Sequence, residues 1–123
     1  MLLNDFYSLT KLENMNDSNY KALIHLNASH DIFKGHFPDN PVTPGVCMLQ
    51  IIKEITEKIV SKKLFMNQCS NVKFMALINP EVNPNLVLSI EITETATNVY
   101  KVKNTTTFDE TVALKLVCNF KTI

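Results

Sequence analysis

The chain has 123 residues and a mass of 14.0 kDa, with 46% hydrophobic and 20% charged residues, which is enough for one core and too little for two, so a single domain over 1–123 is expected. Its twelve basic residues, all lysine, balance twelve acidic ones. That balance excludes a global field toward nucleic acid or an anionic membrane surface. The lack of arginine excludes bidentate guanidinium clamps, so any anion is met by lysine, backbone amides or a helix end.

The opening MLLNDFYSL has no basic stretch, and Asn4 and Asp5 interrupt its apolar residues too early for a secretory signal. No apolar run approaches the roughly 20 residues that cross a bilayer. Cys47, Cys69 and Cys118 are too few and too scattered for a disulfide framework or a zinc site. Together these features read as a cytoplasmic chain in a reducing compartment, with no metal, and the sequons at Asn16, Asn27 and Asn104 are then chance matches.

Polar and apolar residues alternate over 11–15 and again over 20–26, and the intervening Asn16-Asp17-Ser18-Asn19 is rich in turn formers, which predicts a hairpin. Residues 27–44 hold Gly35, Pro38, Pro41 and Pro44, with Gly45 just beyond, and read as an irregular but defined loop. From Pro44 to about Ser61 the apolar residues Met48, Ile51, Ile52, Ile55 and Ile59 fall at helical spacing, with Lys53, Glu54, Glu57 and Lys58 on the other side. Thr43 is a good N-cap and Pro44 suits the first helical position.

A polar connection through 67–71 follows, and then the period returns to two. Leu86, Leu88, Ile90 and Ile92 share a face, Tyr100 and Val102 alternate with Lys101 and Lys103, and Val112, Leu114, Leu116, Cys118 and Phe120 form a long alternation. Turns near 95–98 and 109–110 make these strands an antiparallel meander. One helix and about five antiparallel strands bury the helix's apolar stripe only if it lies across one sheet face. The expected class is α+β, one long central helix wrapped by a curved antiparallel sheet.

The most informative segment is Gly35-His36-Phe37-Pro38-Asp39-Asn40-Pro41-Val42-Thr43-Pro44-Gly45-Val46, followed directly by the helical pattern. It resembles the active-site loop of the β-hydroxyacyl-acyl-carrier-protein dehydratases of fatty-acid synthesis, G-H-F-P-x-x-P-x-x-P-G-V. Ile32 and Phe33 before the motif extend the similarity loosely over most of the chain, and Asn71-Val72-Lys73-Phe74 followed by Pro80 and Pro84 resembles the family's strand and proline-bearing turn after the helix. The resemblance implies the hot-dog fold, the arrangement that periodicity suggests independently.

Within the motif, His36 is the one side chain whose unperturbed pKa lies near neutrality, so it can take and return a proton, or else hold the loop by hydrogen bonds. The resemblance implies the catalytic role. His25 and His30 lack such a context and read as structural. The amides of Gly45 and Val46 fall in the first helical turn, where donors are unpaired and the dipole is positive, so they suit a thioester carbonyl; an ordinary cap is the alternative. In the resembling family the amide at the glycine position binds that carbonyl. Cys47, near the helix start, reads as a buried thiol rather than a nucleophile.

In the resembling family an acid on the helix, fourteen positions after the histidine, completes the site, and that position here is Gln50. A buried amide without partners costs about 1–3 kcal/mol, so Gln50 is expected to face water or substrate. It can orient a hydroxyl, but it cannot donate a proton as a carboxylic acid does. Phe33, Phe37, Phe74 and Met75 read equally as walls of an acyl tunnel or as core. Lys34 and Lys73, beside the motif and after the helix, are the expected contacts to an acidic carrier.

The resemblance implies dehydration of 3-hydroxyacyl thioesters on acyl carrier protein to trans-2-enoyl thioesters, with no cofactor beyond the carrier's phosphopantetheine arm. It also implies a homodimer with shared sites, a trimer of dimers being the larger alternative, while the charge balance and the lack of a long apolar run argue against nucleic acid and membrane as partners. A hot-dog thioesterase, and a non-catalytic carrier-binding subunit partnering an active homologue, are the alternative readings.

Overall fold

The chain folds as β1 (Tyr7–Asn16), β2 (Asn19–Leu26), a 3-10 turn (Asp31–Phe33), α1 (Gly45–Val60), β3 (Leu64–Phe74), β4 (Asn85–Ala96), β5 (Val99–Phe108) and β6 (Thr111–Thr122). The computed structural model describes residues 5–34 and 41–123. The strands form one antiparallel sheet in the order β1-β2-β4-β5-β6-β3. The hairpin and the meander stand as expected, with Asn98 and Asp109 supplying left-handed turn residues (φ 62° and 53°) that asparagine and aspartate tolerate.

Three expectations need correction. Residues 67–71 are not a connection but the middle of β3, which pairs with β6 from Leu64↔Thr122 to Phe74↔Leu114. As an edge strand β3 leaves many side chains in solvent and is broken by irregularities between Met66 and Gln68 and between Ser70 and Lys73, so it shows no clean alternation. Thr43 is not the N-cap: Pro44 takes that place with an extended ψ of 143°, and the buried Thr43 hydroxyl has no partner among the described residues. Finally, Cys69 and Cys118 face each other across the β3–β6 pair, their Cα atoms 4.0 Å apart, and are joined as a disulfide. Sheet pairing brings together two cysteines that lie far apart along the chain.

The apolar stripe of α1 (Met48, Ile51, Ile52, Ile55) packs with Ile24, Leu88, Ile90, Val102, Leu116 and Phe120 in one core, each side chain nearly inaccessible. Burial of a side chain of this size stabilises by about 1.5–3 kcal/mol. Thr56 joins the same face because its hydroxyl donates to the Ile52 carbonyl at 2.8 Å. The helix ends at Ser61 in the left-handed region (φ 58°), and the Glu57 carboxylate accepts from the Leu64 amide at 2.8 Å, turning the chain into β3.

Across the opposite sheet face runs the row Glu13↔Lys21↔Ser89↔Thr105↔Lys115↔Lys73. By strand alternation Lys11, Lys101, Lys103 and Lys121 share that face with Lys21, Lys73 and Lys115, so seven of the twelve lysines lie on it.

Candidate active site

The start of α1 is held over the segment that follows β3. The Thr43 amide donates to the Ile78 carbonyl at 2.8 Å, and the Met75 amide donates to the Ala113 carbonyl at 2.8 Å. Between them lies an apolar cavity of about 350 Å³, lined by residues 42–46, Met48, Phe74 and residues 76–78. Gly45 sits against the Phe74 ring, and a Cβ at this position would fall 2.6 Å from Phe74 Cζ. Glycine here lets the ring approach closely and does not answer a special backbone conformation.

The Pro44 carbonyl accepts from the Cys47 amide at 3.0 Å and from the Met48 amide at 3.3 Å. The amides of Gly45 and Val46 precede these bonds and have no partner among the described residues. They form the electropositive end of the helix dipole, beside the cavity. Cys47 points the other way, into the core, and burial pushes its thiol pKa up, so it is a poor thiolate.

One turn on, half-buried Gln50 donates from Nε2 to Glu54 Oε2 at 3.0 Å. Glu54 Oε1 in turn accepts from the Tyr7 hydroxyl of β1 at 2.9 Å. Burial, and then the hydrogen bond to Glu54 and the charges of Glu54 and Glu57, raise the Tyr7 pKa, so it remains a donor at neutral pH. Sequence reasoning placed Glu54 on the solvent side of the helix and passed over Tyr7. The four-residue spacing of Gln50 and Glu54 was the available signal.

His36 and Phe37 lie outside the described residues. Phe33 is buried in the core, stacked on Phe6 with ring centroids 5.2 Å apart, and does not line the cavity at the helix start. Phe74 does line it, while Met75 is exposed beside it. Lys34 pairs with Asp31 at 3.1 Å, whereas Lys73 faces Lys115 across the sheet and has no acidic partner among the described residues. His30 accepts from the Ile32 amide at 3.1 Å and packs edge-on against Phe6, and His25 bonds Asn85, so both serve the scaffold. Among the described residues no cluster of ligands could hold a metal, and no helix is long and apolar enough to cross a membrane.

A six-stranded antiparallel sheet around one central helix, with an apolar cavity at the start of that helix, defines a hot-dog protein. The family model for the ApeI dehydratase matches residues 12–113, and the chain belongs to this ApeI-like dehydratase family. A 3-hydroxyacyl-[acyl-carrier-protein] dehydratase FabZ of Rickettsia akari is 32% identical over 85 residues, covering 63% of this chain and 57% of that protein. A FabZ of Wolbachia pipientis wMel is 28% identical over 88 residues, covering 66% of this chain and 60% of that protein. The chain thus spans about three fifths of the length of these curated relatives.

Among solved structures, the dehydratase heterocomplex ApeI:P from Xenorhabdus doucetiae aligns with a TM-score of 0.76 at 20% identity, covering 93% of this chain and 96% of that one. A hypothetical thioesterase from Streptococcus pneumoniae, solved with coenzyme A, aligns with a TM-score of 0.69 at 12% identity, covering 99% of this chain and 91% of that one. At these identities the likenesses establish the fold.

Proposed function

We propose that the protein removes water from 3-hydroxyacyl thioesters carried on acyl carrier protein, yielding trans-2-enoyl thioesters. The observation that carries this reading is the apolar cavity at the start of α1, where the amides of Gly45 and Val46 have no partner among the described residues and the twelve-residue motif leads into the helix. His36 takes the proton from the α-carbon. The two amides hold the thioester oxygen as it gains negative charge, and Phe74 with its neighbours encloses the acyl chain. The C3–O bond then breaks as the double bond forms. The departing hydroxide receives the proton that His36 removed, directly or relayed through a water, because the amide of Gln50 has none to give.

The same reading includes a homodimer formed along the exposed edge of β3 and no cofactor beyond the carrier's own arm. Incubation of a 3-hydroxyacyl carrier substrate with purified protein, followed by mass analysis, tests it. Loss of one water with the thioester intact is the expected result. Release of the free thiol would instead make the protein a thioesterase, and no change would make it a binding subunit that needs a second chain.

A further inference from the structure

We propose that Glu54 is a positioning residue, which with Tyr7 fixes the Gln50 amide so that its Oε1 is presented as a hydrogen-bond acceptor to the substrate's 3-hydroxyl. This rests on the dehydratase reading and adds to it a basis for choosing 3-hydroxyacyl over 3-oxoacyl chains. A glutamine amide has a donating and an accepting end of nearly equal shape, so an unrestrained Gln50 could serve either a hydroxyl or a ketone. Glu54 removes that ambiguity. Its carboxylate lies 3.0 Å from Gln50 Nε2. The opposite orientation would set the amide oxygen against a carboxylate, acceptor against acceptor.

The carboxylate is itself held, because its other oxygen accepts from the hydroxyl of Tyr7, on β1, at 2.9 Å. A chain of two charge-assisted hydrogen bonds thus runs from β1 through Glu54 to Gln50. It leaves Oε1, which has no partner among the described residues, as the amide's free end. A 3-hydroxyl can donate to that oxygen. A 3-ketone cannot, and would place two acceptors together. Loss of a hydrogen bond to a site built for it commonly separates related ligands by an order of magnitude or more.

The test is the affinity ratio for the amide analogues of 3-hydroxyoctanoyl-pantetheine and 3-oxooctanoyl-pantetheine, which undergo no turnover. Because it is a ratio, any loss of folded protein cancels. The wild type should prefer the hydroxy ligand by about tenfold or more. Glu54→Ala should bring the ratio close to one, while Glu54→Gln, whose own amide can turn either an acceptor or a donor to Gln50, should retain only part of it. In a Gln50→Ala background, Glu54→Ala should have no further effect, since the effect is carried through Gln50. A preference unchanged by Glu54→Ala, or absent from the wild type while both ligands bind, overturns the positioning role and leaves the dehydratase reading in place. If neither ligand binds, the acyl-thioester reading falls and takes this proposal with it.

Discussion

Gly45 and Cys47, two residues apart, meet opposite demands at the start of α1. Gly45→Ala places a methyl group 2.6 Å from the outer end of the Phe74 ring, which is 58% exposed and free to swing away. The gain in helix propensity and the cost of moving the ring largely offset each other, so stability should stay within about 1 kcal/mol. The cavity loses its shape, however, and acyl-ligand affinity should fall about tenfold or more, a split that calorimetry and thermal unfolding read together. Cys47 is packed into the core as a thiol, with burial holding its pKa up. Cys47→Ala should therefore cost about 1–2 kcal/mol of stability and leave turnover within about twofold. Alkylation of the unfolded, unreduced chain should label one cysteine, Cys47, since the other two are bridged. Labelling of three would remove the Cys69–Cys118 bond.

At the scale of elements, α1 is tied to β1 by the Tyr7–Glu54 bond, which has a pH consequence. Tyr7 and Cys47 both have pKa values raised by burial from ordinary values of 10.0 and 9.0. The unfolded chain therefore ionises first, so their stabilisation is fully present below about pH 9 and is lost as pH rises from there. Tyr7→Phe should lower stability by about 1 kcal/mol at neutral pH and make the alkaline decline shallower in denaturant titrations. Helix α1 was legible from sequence because Met48, Ile51, Ile52 and Ile55 repeat at its own period, and the meander because its inward residues alternate. Of β3 only the end, Asn71–Phe74, was legible, through the family resemblance, because an edge strand with Asn67, Gln68 and Asn71 exposed and two irregularities has no period to read. The cap at Pro44 was missed because serine and threonine preferences act through a side-chain bond that Thr43 does not make. In the candidate site, the motif marked Gly45, Val46 and Gln50. Glu54 was signalled only by its four-residue spacing from Gln50, and Tyr7 was hidden because a bond between a strand and a helix leaves no local pattern.

For the whole molecule, a net charge of zero conceals segregation. Lys11, Lys21, Lys73, Lys101, Lys103, Lys115 and Lys121 share the outer sheet face, and Lys73 stands directly opposite Lys115. Like charges so placed repel, which favours an anionic partner at that edge. Binding of an acidic acyl carrier should weaken as salt rises. Lys73→Glu should weaken it more than Lys34→Glu, whose charge is already offset by Asp31, as surface-bound kinetics can measure. The exposed edge of β3, with Phe65 and Val72 in solvent, should hold two copies together. Light scattering should report a dimer at micromolar concentration, and Val72→Asp should raise its dissociation constant about tenfold or more.

The order of strands also sets the tempo of self-assembly. The meander β4-β5-β6 closes through two tight turns and needs no distant segment. The seam between β2 and β4, by contrast, brings Asn19 opposite Glu91, and β3 reaches β6 with Leu64 opposite Thr122. Closing such large loops costs chain entropy before their contacts repay it. The meander is thus the natural nucleus, with the amino-terminal hairpin and the helix-borne edge strand docking later on a timescale of roughly milliseconds to seconds. During synthesis the hairpin and the helix emerge first, and their apolar faces wait for strands that have not yet been made.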